Sequence, residues 1–327
     1  MVVSEPVFIG VDIGGTKIAA GVVNIHGKIR EKIRAPMPSQ ATGDEAFSAV
    51  REVVNKLLPQ GQRHGPRFYI GVSCPGPLNP RRGVVINPPN LPCWRDYPLA
   101  QRISETWSLP AVIDNDSNAA ALAEAVWGAG AGFSSVFYAT LGTGIGTGLV
   151  LDGNIYHGRT GAAAEGGHMT IDYRGPRCAC GKRGCIEALA SGPALAARAR
   201  ERLAETREPS LILELAGGDP QAVTGEVIGE AYRQGDQLAA ALLSETADYL
   251  AIWLGNIVDM LEPDVIIFGG GMAEMMTSWF PAIREKLPEW SINSRIGEIP
   301  LVRARYREDS GIAGGAAVCL HEENSSR

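Results

Sequence analysis

The sequence lacks the long hydrophobic runs and the strongly basic stretches that several classes of protein require. No apolar run reaches the roughly 18 residues of a membrane-spanning helix, and residues 1–6 contain no hydrophobic core of a signal peptide. Lys and Arg total 30 against 36 Asp and Glu, so the formal net charge is −6 and no dense basic run offers a surface for phosphate backbones. We therefore expect a cytoplasmic protein whose main partner is neither a membrane nor a nucleic acid.

Cysteine is also scarce, with six residues in a chain of 327. Cys74, Cys93 and Cys319 are scattered without the spacing of a disulfide framework, which agrees with a reducing compartment. The chain is long enough, and with 45% hydrophobic residues apolar enough, to bury a large core. Its length favours two domains over one.

The other three cysteines are clustered. Cys178, Cys180 and Cys185 lie within eight positions, and His168 precedes the first of them by ten residues. Three thiolates and one imidazole complete a closed tetrahedral shell for Zn²⁺, so this knuckle (residues 178–185) predicts structural rather than catalytic zinc. Three unpaired thiols are the alternative.

Two carboxylates accompany these ligands. Glu165 lies three residues before His168, and Glu187 lies two residues after Cys185. A bound ion would hold both carboxylates rigidly, as a binding site for a polyol requires. The segment therefore predicts a metal site that supports a carbohydrate site.

Strand-like and helix-like segments alternate along the chain, which indicates α/β architecture. Strands are predicted at residues 7–11, 17–23, 28–34, 68–72, 111–113 and 264–268, and helices at 44–58, 117–127, 236–261 and 310–320. Residues 322–327 are expected to fray. The segment 201–235 is rich in charge, glycine and helix signals but contains no motif that we can place.

Two glycine- and threonine-rich turns repeat one pattern. Residues 7–23 and 136–150 each run from an apolar strand through such a turn into a second strand, which predicts an internal duplication. Two similar domains would place the turns across a cleft, on either side of a nucleotide's phosphates. The residues in question are Asp12, Gly14, Gly15, Thr16 and Lys17 in the first repeat, and Gly142, Thr143 and Gly144 in the second.

Each turn has the parts of a phosphate cradle. Glycine N–H groups, the Thr16 hydroxyl and the Lys17 ammonium can bind phosphate, while Asp12 can hold Mg²⁺ directly or through water. The second turn is not a dinucleotide fingerprint, because a strand rather than a helix is predicted after it, and it lacks the Gly-Lys-Ser/Thr ending of a Walker A loop. A tight hairpin remains the alternative for either turn.

Five motifs together resemble the ROK family of repressors, open reading frames and sugar kinases. They are DIGGTK at residues 12–17, DNDSNAA at 114–120, LGTG at 141–144, EGGH at 165–168 and CACGKRGCIE at 178–187. The resemblance spans residues 7–318 and is closest to bacterial kinases of glucose. It implies an α/β, actin-like fold of the hexokinase type, with two domains around a central cleft and an inserted zinc knuckle. We expect a small domain at residues 1–114, joined by the C-terminal helix 310–327, and a large domain at 115–309.

The resemblance also implies an activity. ATP and Mg²⁺ would phosphorylate a hexose, with glucose the expected substrate and a homo-oligomer, dimer or tetramer, the expected assembly. N-acetylmannosamine, fructose or another hexose is the alternative substrate. Family members that repress transcription carry an N-terminal helix-turn-helix, and since only six residues precede Val7 we expect no direct DNA binding. A non-catalytic sugar sensor is a further alternative, against which the presence of Asp116, Asp12 and Thr143 argues.

The resemblance assigns roles to individual residues. Asp116 would accept the proton of the sugar's 6-hydroxyl, although a helix N-cap would also explain it. Asn115 and Asn90 would bind sugar hydroxyls, with a plain Pro-rich turn as the alternative for Asn90. Cys93 stands where the family commonly has a small residue, which leaves the conformation of the Asn90 loop open. The other implied residues are Glu165, His168 and Glu187 at the sugar, Gly76 at its entrance, and Gly269, Gly270 and Gly271 at adenosine, although a strand-to-helix turn would also want these last glycines.

Overall fold

The computed structural model describes residues 6–58, 68–205 and 210–325, in which strands and helices alternate as predicted. The strands are β1 (Val7–Ile13), β2 (Lys17–Val23), β3 (Ile29–Pro36), β4 (Phe68–Cys74), β5 (Leu78–Asn79), β6 (Val84–Val85), β7 (Ala111–Asn115), β8 (Ser135–Leu141), β9 (Ile145–Leu151), β10 (Asn154–Ile155), β11 (Val265–Gly269) and β12 (Leu301–Arg303). The helices are α1 (Gly43–Leu57), α2 (Leu99–Trp107), α3 (Asp116–Trp127), α4 (Ile186–Ala190), α5 (Gly192–Glu205), α6 (Leu211–Leu215), α7 (Gly225–Arg233), α8 (Gln237–Leu261), α9 (Gly271–Met276), α10 (Phe280–Lys286) and α11 (Ser310–Ser325). None of these helices has the length and apolar character needed to cross a bilayer.

Local capping explains where the predicted helices begin. Thr42 and Glu45 form a reciprocal capping box at the start of α1, and Asp236 accepts a hydrogen bond from the third residue of α8.

At the C-terminal end of the chain, the expectation of fraying is wrong for residues 322–325, which continue α11. His321 Nε2 lies 2.9 Å from Asn154 Oδ1, and this hydrogen bond holds the last turns of the helix in place. Residues 1–5, 326 and 327 lie outside the described part of the chain.

Two five-stranded sheets share one strand order. The first runs β3-β2-β1-β4-β7 and the second β10-β9-β8-β11-β12, an arrangement that agrees with the predicted duplication. In the first sheet β1, β4 and β7 are parallel, and their register sets Asp12 beside Ser73 and Ser73 beside Asp114. Polar side chains are thus gathered at the carboxyl ends of three parallel strands, where α/β sheets bind ligands.

The chain forms two compact units, each with its own hydrophobic core. The first comprises Met1–Val136, Gly148–Ala164 and Ala304–Arg327, and the second comprises Phe137–Thr147 and Glu165–Arg303. The domain boundary expected after residue 114 stays a prediction, although the first compact unit continues past it and includes α3.

In the first unit, α11 lies directly on the sheet. A Cβ added to Gly10 would come within 1.9 Å of the Ile312 carbonyl oxygen, and one on Gly71 within 1.9 Å of the Gly315 carbonyl oxygen, so only glycine allows this approach. The first residues of α11 also pack on Asp12, because a Cβ on Gly311 would lie 2.2 Å from its carboxyl carbon. This close packing fixes the end of β1 that carries Asp12.

Candidate active site

The first unit carries an acidic corner where β7 passes directly into α3. Asn115 caps this helix, since its side-chain oxygen accepts hydrogen bonds from the N–H groups of Ser117 at 3.0 Å and Asn118 at 3.3 Å. Asp116 is the first helical residue, and its carboxylate accepts a hydrogen bond from the Ser117 N–H at 2.7 Å while the residue remains exposed. The cap is therefore Asn115, and helix capping does not by itself explain Asp116.

Two carboxyl groups of this unit have raised pKa values. Burial first, and then the negative charge of Asp116, raise the pKa of Asp12 to about 6, while the cations of Lys17 and Arg34 oppose the rise. Loss of hydration raises the pKa of Asp116 as well, because protein atoms crowd a side chain that still reaches solvent, and hydrogen bonds from Ser117 lower it. Mutually repelling carboxylates favour a cation nearby, and a carboxylate with a raised pKa is a better proton acceptor.

The first turn, residues 14–17, packs against the loop that carries Asn90. A Cβ on Gly15 would lie 2.8 Å from the Asn90 backbone oxygen. Trp94, which is buried, anchors this loop, and the backbone N–H of Cys93 is hydrogen-bonded, so the cysteine is accommodated. Asn90 itself is exposed beside the turn, where its amide is available to a ligand.

The other predicted residues of this unit lie at the same end of the sheet. Asp12 lies near the end of β1, Gly76 follows β4, and Asn115 ends β7. A Cβ on Gly76 would be 3.5 Å from the side-chain nitrogen of Asn115. Thr16 and Lys17 are exposed at the start of β2. These strand ends therefore collect carboxylate, amide and ammonium groups.

Sequence reasoning missed a pair that supports the acidic corner, formed by the buried Asp114 and the half-buried His157. Asp114 Oδ2 lies 2.6 Å from His157 Nε2, and Asp114 Oδ1 accepts hydrogen bonds from the Asn115 N–H at 2.7 Å and from the Asn118 side chain at 3.2 Å. The Asp114 carboxylate is buried, so each of these partners replaces water that it has lost. In the sequence, Asp114 stood out only because it precedes Asn115 and Asp116, and no pattern indicated His157.

In the second unit, the second turn (residues 142–145) joins β8 to β9, so a strand follows it as predicted. Its inner hydrogen bond runs from the Gly142 N–H to the Gly144 carbonyl at 2.9 Å, and Thr143 is exposed. Within the described ranges, the N–H groups of Thr143 and Gly144 make no hydrogen bond. Two adjacent free N–H donors fit an anion such as phosphate.

Four predicted metal ligands converge in the same unit. One ring nitrogen of His168 and the Sγ atoms of Cys178, Cys180 and Cys185 all lie within 4.8 Å of one another. Cys178 Sγ is 3.7 Å from His168 Nδ1, and Cys180 Sγ is 3.7 Å from Cys185 Sγ. Glu187 lies beside this group, with Oε1 3.8 Å from His168 Nδ1. The group could hold one metal ion through four protein ligands.

Buried hydrogen bonds fix the short turn that carries Glu165 and His168. The Gly166 N–H donates to the Thr147 hydroxyl at 2.8 Å, and the Gly166 carbonyl accepts from the indole N–H of the fully buried Trp253 at 3.1 Å. Glu165 is exposed and His168 is half-buried. Both side chains therefore project from a backbone that the core of the unit holds still.

A cavity of about 670 Å³ adjoins the second turn. Gly142 and Thr143 line it together with Gly271, and the segments 192–200 and 223–233 supply further wall. A cavity of this size is large enough for a nucleoside. Part of the segment 201–235, in which the sequence showed no motif, therefore belongs to a candidate ligand site.

The three glycines expected at adenosine differ in what surrounds them. A Cβ on Gly269 would lie 2.2 Å from the Tyr138 hydroxyl, and Gly270 has a φ of 86° and would meet the Leu141 carbonyl oxygen at 2.3 Å. Packing and backbone conformation account for both. A Cβ on Gly271 meets no described atom within 4 Å, and this residue lines the cavity. Of the three glycines, Gly271 is thus the one at which the absence of a side chain leaves room for a ligand.

Known proteins resemble this chain over nearly its full length. A glucokinase of Thermotoga maritima is 33% identical over 310 residues, which cover 95% of this chain and 96% of the relative. An N-acetylmannosamine kinase of Escherichia fergusonii is 30% identical over 317 residues, covering 96% and 99%. The crystal structure of a ROK family glucokinase from Streptomyces griseus in complex with glucose and AMPPNP is 34% identical, with a TM-score of 0.80 and coverage of 96% of this chain and 99% of that one.

The α/β fold with its acidic corner and glycine turns is that of the ROK sugar kinases. The model of the ROK family matches residues 8–322, and the chain belongs to this family. The resemblance inferred from the five motifs is thereby confirmed.

The pair of Asp114 and His157 can be tested by replacing His157. We expect His157→Ala to lower the free energy of unfolding by about 1–3 kcal/mol, because Asp114 Oδ2 is left buried without a partner. Chemical denaturation measures the change. The control is His26→Ala, which alters an exposed side chain and should stay within about 0.5 kcal/mol of the parent. Equal effects of the two substitutions would contradict a supporting role for His157.

Proposed function

We propose that this ROK protein is an ATP-dependent hexose kinase that converts glucose to glucose 6-phosphate. The observation that carries the proposal is the Asp116 carboxylate, which is exposed directly after strand β7 and has a raised pKa. The chain that carries it aligns over nearly its whole length with a glucokinase crystallised with glucose and AMPPNP. A sugar hydroxyl needs such a base when it attacks phosphorus.

Asp116 acts as the general base. Its carboxylate accepts the proton of the 6-hydroxyl while the sugar oxygen forms a bond to the γ-phosphorus of ATP, and the bond from that phosphorus to the bridging oxygen breaks to release ADP. Capping of α3 by Asn115 leaves Asp116 available for this step. The raised pKa of Asp116 improves proton acceptance at neutral pH.

The two glycine turns and the cavity serve the nucleotide. The free N–H groups of Thr143 and Gly144 bind phosphate oxygens, and the cavity beside Gly271 takes adenosine. In the first unit, Gly14, Gly15, Thr16 and Lys17 offer N–H donors, a hydroxyl and a positive charge to phosphate; in the second unit, Gly142 belongs to the second turn. Asp12 is an oxygen ligand suited to Mg²⁺, which neutralises charge on the phosphates when it is bound.

Amide, carboxylate and imidazole groups bind the sugar. In the first unit, Asn90 and Asn115 offer both donors and acceptors to sugar hydroxyl groups; in the second unit, Glu165, His168 and Glu187 offer carboxylate and imidazole groups. Gly76, next to the side chain of Asn115, leaves space at the entrance to this site.

Structural zinc fits the four converging ligands. Zn–S bonds of about 2.3 Å in a tetrahedron place sulfur atoms about 3.8 Å apart. The separation of 3.7 Å between Cys180 Sγ and Cys185 Sγ agrees with this geometry. His168, Cys178, Cys180 and Cys185 would fill all four positions, so zinc would hold the knuckle and would leave no position for water or substrate.

Two further parts of the proposal concern the sugar and the assembly. N-acetylmannosamine is the second candidate substrate, because a kinase of that sugar is 30% identical to this chain over 317 residues. The exposed apolar side chains of Met260 and Ile292 support a homo-oligomer, dimer or tetramer. The two residues are near each other, because Asp259, which precedes Met260, accepts a hydrogen bond from the Ile292 N–H.

A panel of sugars tests the substrate. With ATP as donor, we expect glucose to have the highest kcat/KM, at least about tenfold above mannose, fructose and N-acetylmannosamine, because a site built to bind each hydroxyl rejects analogues that leave groups unpaired. A coupled assay for ADP measures all four. A higher kcat/KM for N-acetylmannosamine would select the second candidate instead.

Replacing Asp116 tests the mechanism. Asp116→Asn should lower kcat by roughly a hundredfold or more, because the amide cannot accept the proton, while calorimetry should still detect glucose binding. Asp152→Asn is the matched control, since this exposed hairpin residue has a φ of 48°, which asparagine tolerates. If Asp116→Asn kept the kcat of the control, Asp116 could not be the base.

Elemental analysis tests the metal. Protein purified without chelators should contain about one zinc per chain. Cys185→Ser should lose most of it, and Cys93→Ser, which alters a cysteine outside the knuckle, should keep it. Protein free of zinc in the unmodified form would rule out this assignment.

A further inference from the structure

We propose that Glu187 is a positioning residue that ties the knuckle to the second turn and thereby sets the affinity for nucleotide. The sequence and the family resemblance connect Glu187 only with the sugar. The proposal rests on the proposed kinase function, in which the second turn binds phosphate.

Glu187 contacts the second turn directly. Its Oε2 atom accepts a hydrogen bond from the Ile145 N–H at 2.9 Å. The same oxygen would lie 2.6 Å from a Cβ on Gly144, and that Cβ would meet no other described residue within 4 Å. Glycine at position 144 therefore leaves the space that the carboxylate occupies.

Glu187 is also close to the knuckle, both along the chain and in space. Glu187 follows Cys185, the N-cap of α4, by two residues, and the intervening Ile186 is fully buried and donates its N–H to the Met169 carbonyl at 3.0 Å. The other oxygen of Glu187, Oε1, lies 3.8 Å from Cys178 Sγ. The position of this carboxylate therefore follows the position of the metal ligands.

The segment 187–192 forms hydrogen bonds with both ends of the second turn. Five residues after Glu187, the N–H of Gly192 donates to the Gly142 carbonyl at 2.8 Å. Residues 187–192 thus bind the first and the last residue of the turn, while the N–H groups of Thr143 and Gly144 between them make no hydrogen bond to any residue that the structure describes. Donors held in place before a ligand arrives bind it at a lower entropic cost.

Two substitutions of Glu187 separate the hydrogen bond from the charge. Glu187→Gln keeps an oxygen acceptor for the Ile145 N–H, so calorimetry should give an affinity for Mg²⁺-AMPPNP equal to or tighter than that of the parent, since a negative charge near the phosphates is lost. Glu187→Ala removes the acceptor and should weaken AMPPNP about tenfold. Both variants should bind glucose more weakly, because both lack the carboxylate proposed for the sugar.

Gly144→Ala tests the same contact from the other side. Its methyl group displaces the Glu187 carboxylate and should weaken AMPPNP about tenfold in the parent, but it should add little to Glu187→Ala, where the space is vacant. Gly142→Ala is the control, because a Cβ there meets no described atom within 4 Å. Its effect on AMPPNP should be the same in both backgrounds.

Unchanged affinity for AMPPNP in Glu187→Ala, equal losses in the Gln and Ala variants, or additive effects of Gly144→Ala and Glu187→Ala would each overturn the positioning role. If Glu187→Ala does not fold, Gly144→Ala decides together with hydrogen exchange: a roughly tenfold loss with faster exchange of the Ile145 amide supports the role, and no loss, or a loss with unchanged exchange, overturns it. Failure of the parent protein to bind AMPPNP would instead overturn the proposed function, and the positioning role with it.

Discussion

The convergence of His168, Cys178, Cys180 and Cys185 on one point is the constraint on which the second unit's site depends. Residues 172–184, which include most of the knuckle, carry Tyr173 as their one large apolar side chain, and it is 72% exposed. Such a segment cannot bury enough apolar surface to fix its own conformation. A metal ion shared by the four ligands would supply the missing cross-link, and binding of the ion would then become part of the folding free energy of this region.

Short, direct contacts connect the knuckle to the groups proposed to bind the sugar and the phosphates. On one side, Glu187 connects it to the N–H of Ile145 and so to the second turn. On the other, the turn that carries Glu165 and His168 is held by Thr147 and Trp253. The knuckle, proposed from the sequence as a support for the sugar, is thus also connected through Glu187 to the backbone proposed to bind phosphate. In the first unit, glycines let α11 lie directly on the sheet.

The parts that the sequence predicts well are those with local causes. The strands before the glycine turns follow from apolar runs, the starts of α1 and α8 from capping residues, and the four metal ligands from spacing within eighteen positions. Contacts between distant positions leave no such trace. Asp114 and His157 are 43 residues apart, and the cavity wall from residues 223–233 is assembled by packing of helices. The family resemblance assigns Gly269 and Gly270 to adenosine, with a strand-to-helix turn as the alternative, and the close approach of Tyr138 and Leu141 requires glycine at both positions for packing alone.

Hydrogen exchange at the Ile145 amide tests the central claim, that the metal site orders the second turn, most directly. In the zinc-loaded protein we expect slow exchange of this amide, because its N–H is bound to Glu187. After removal of the metal, exchange at Ile145 should become fast, while amides of β1 in the other unit stay protected. Protection of Ile145 that survives complete loss of the metal would contradict the account.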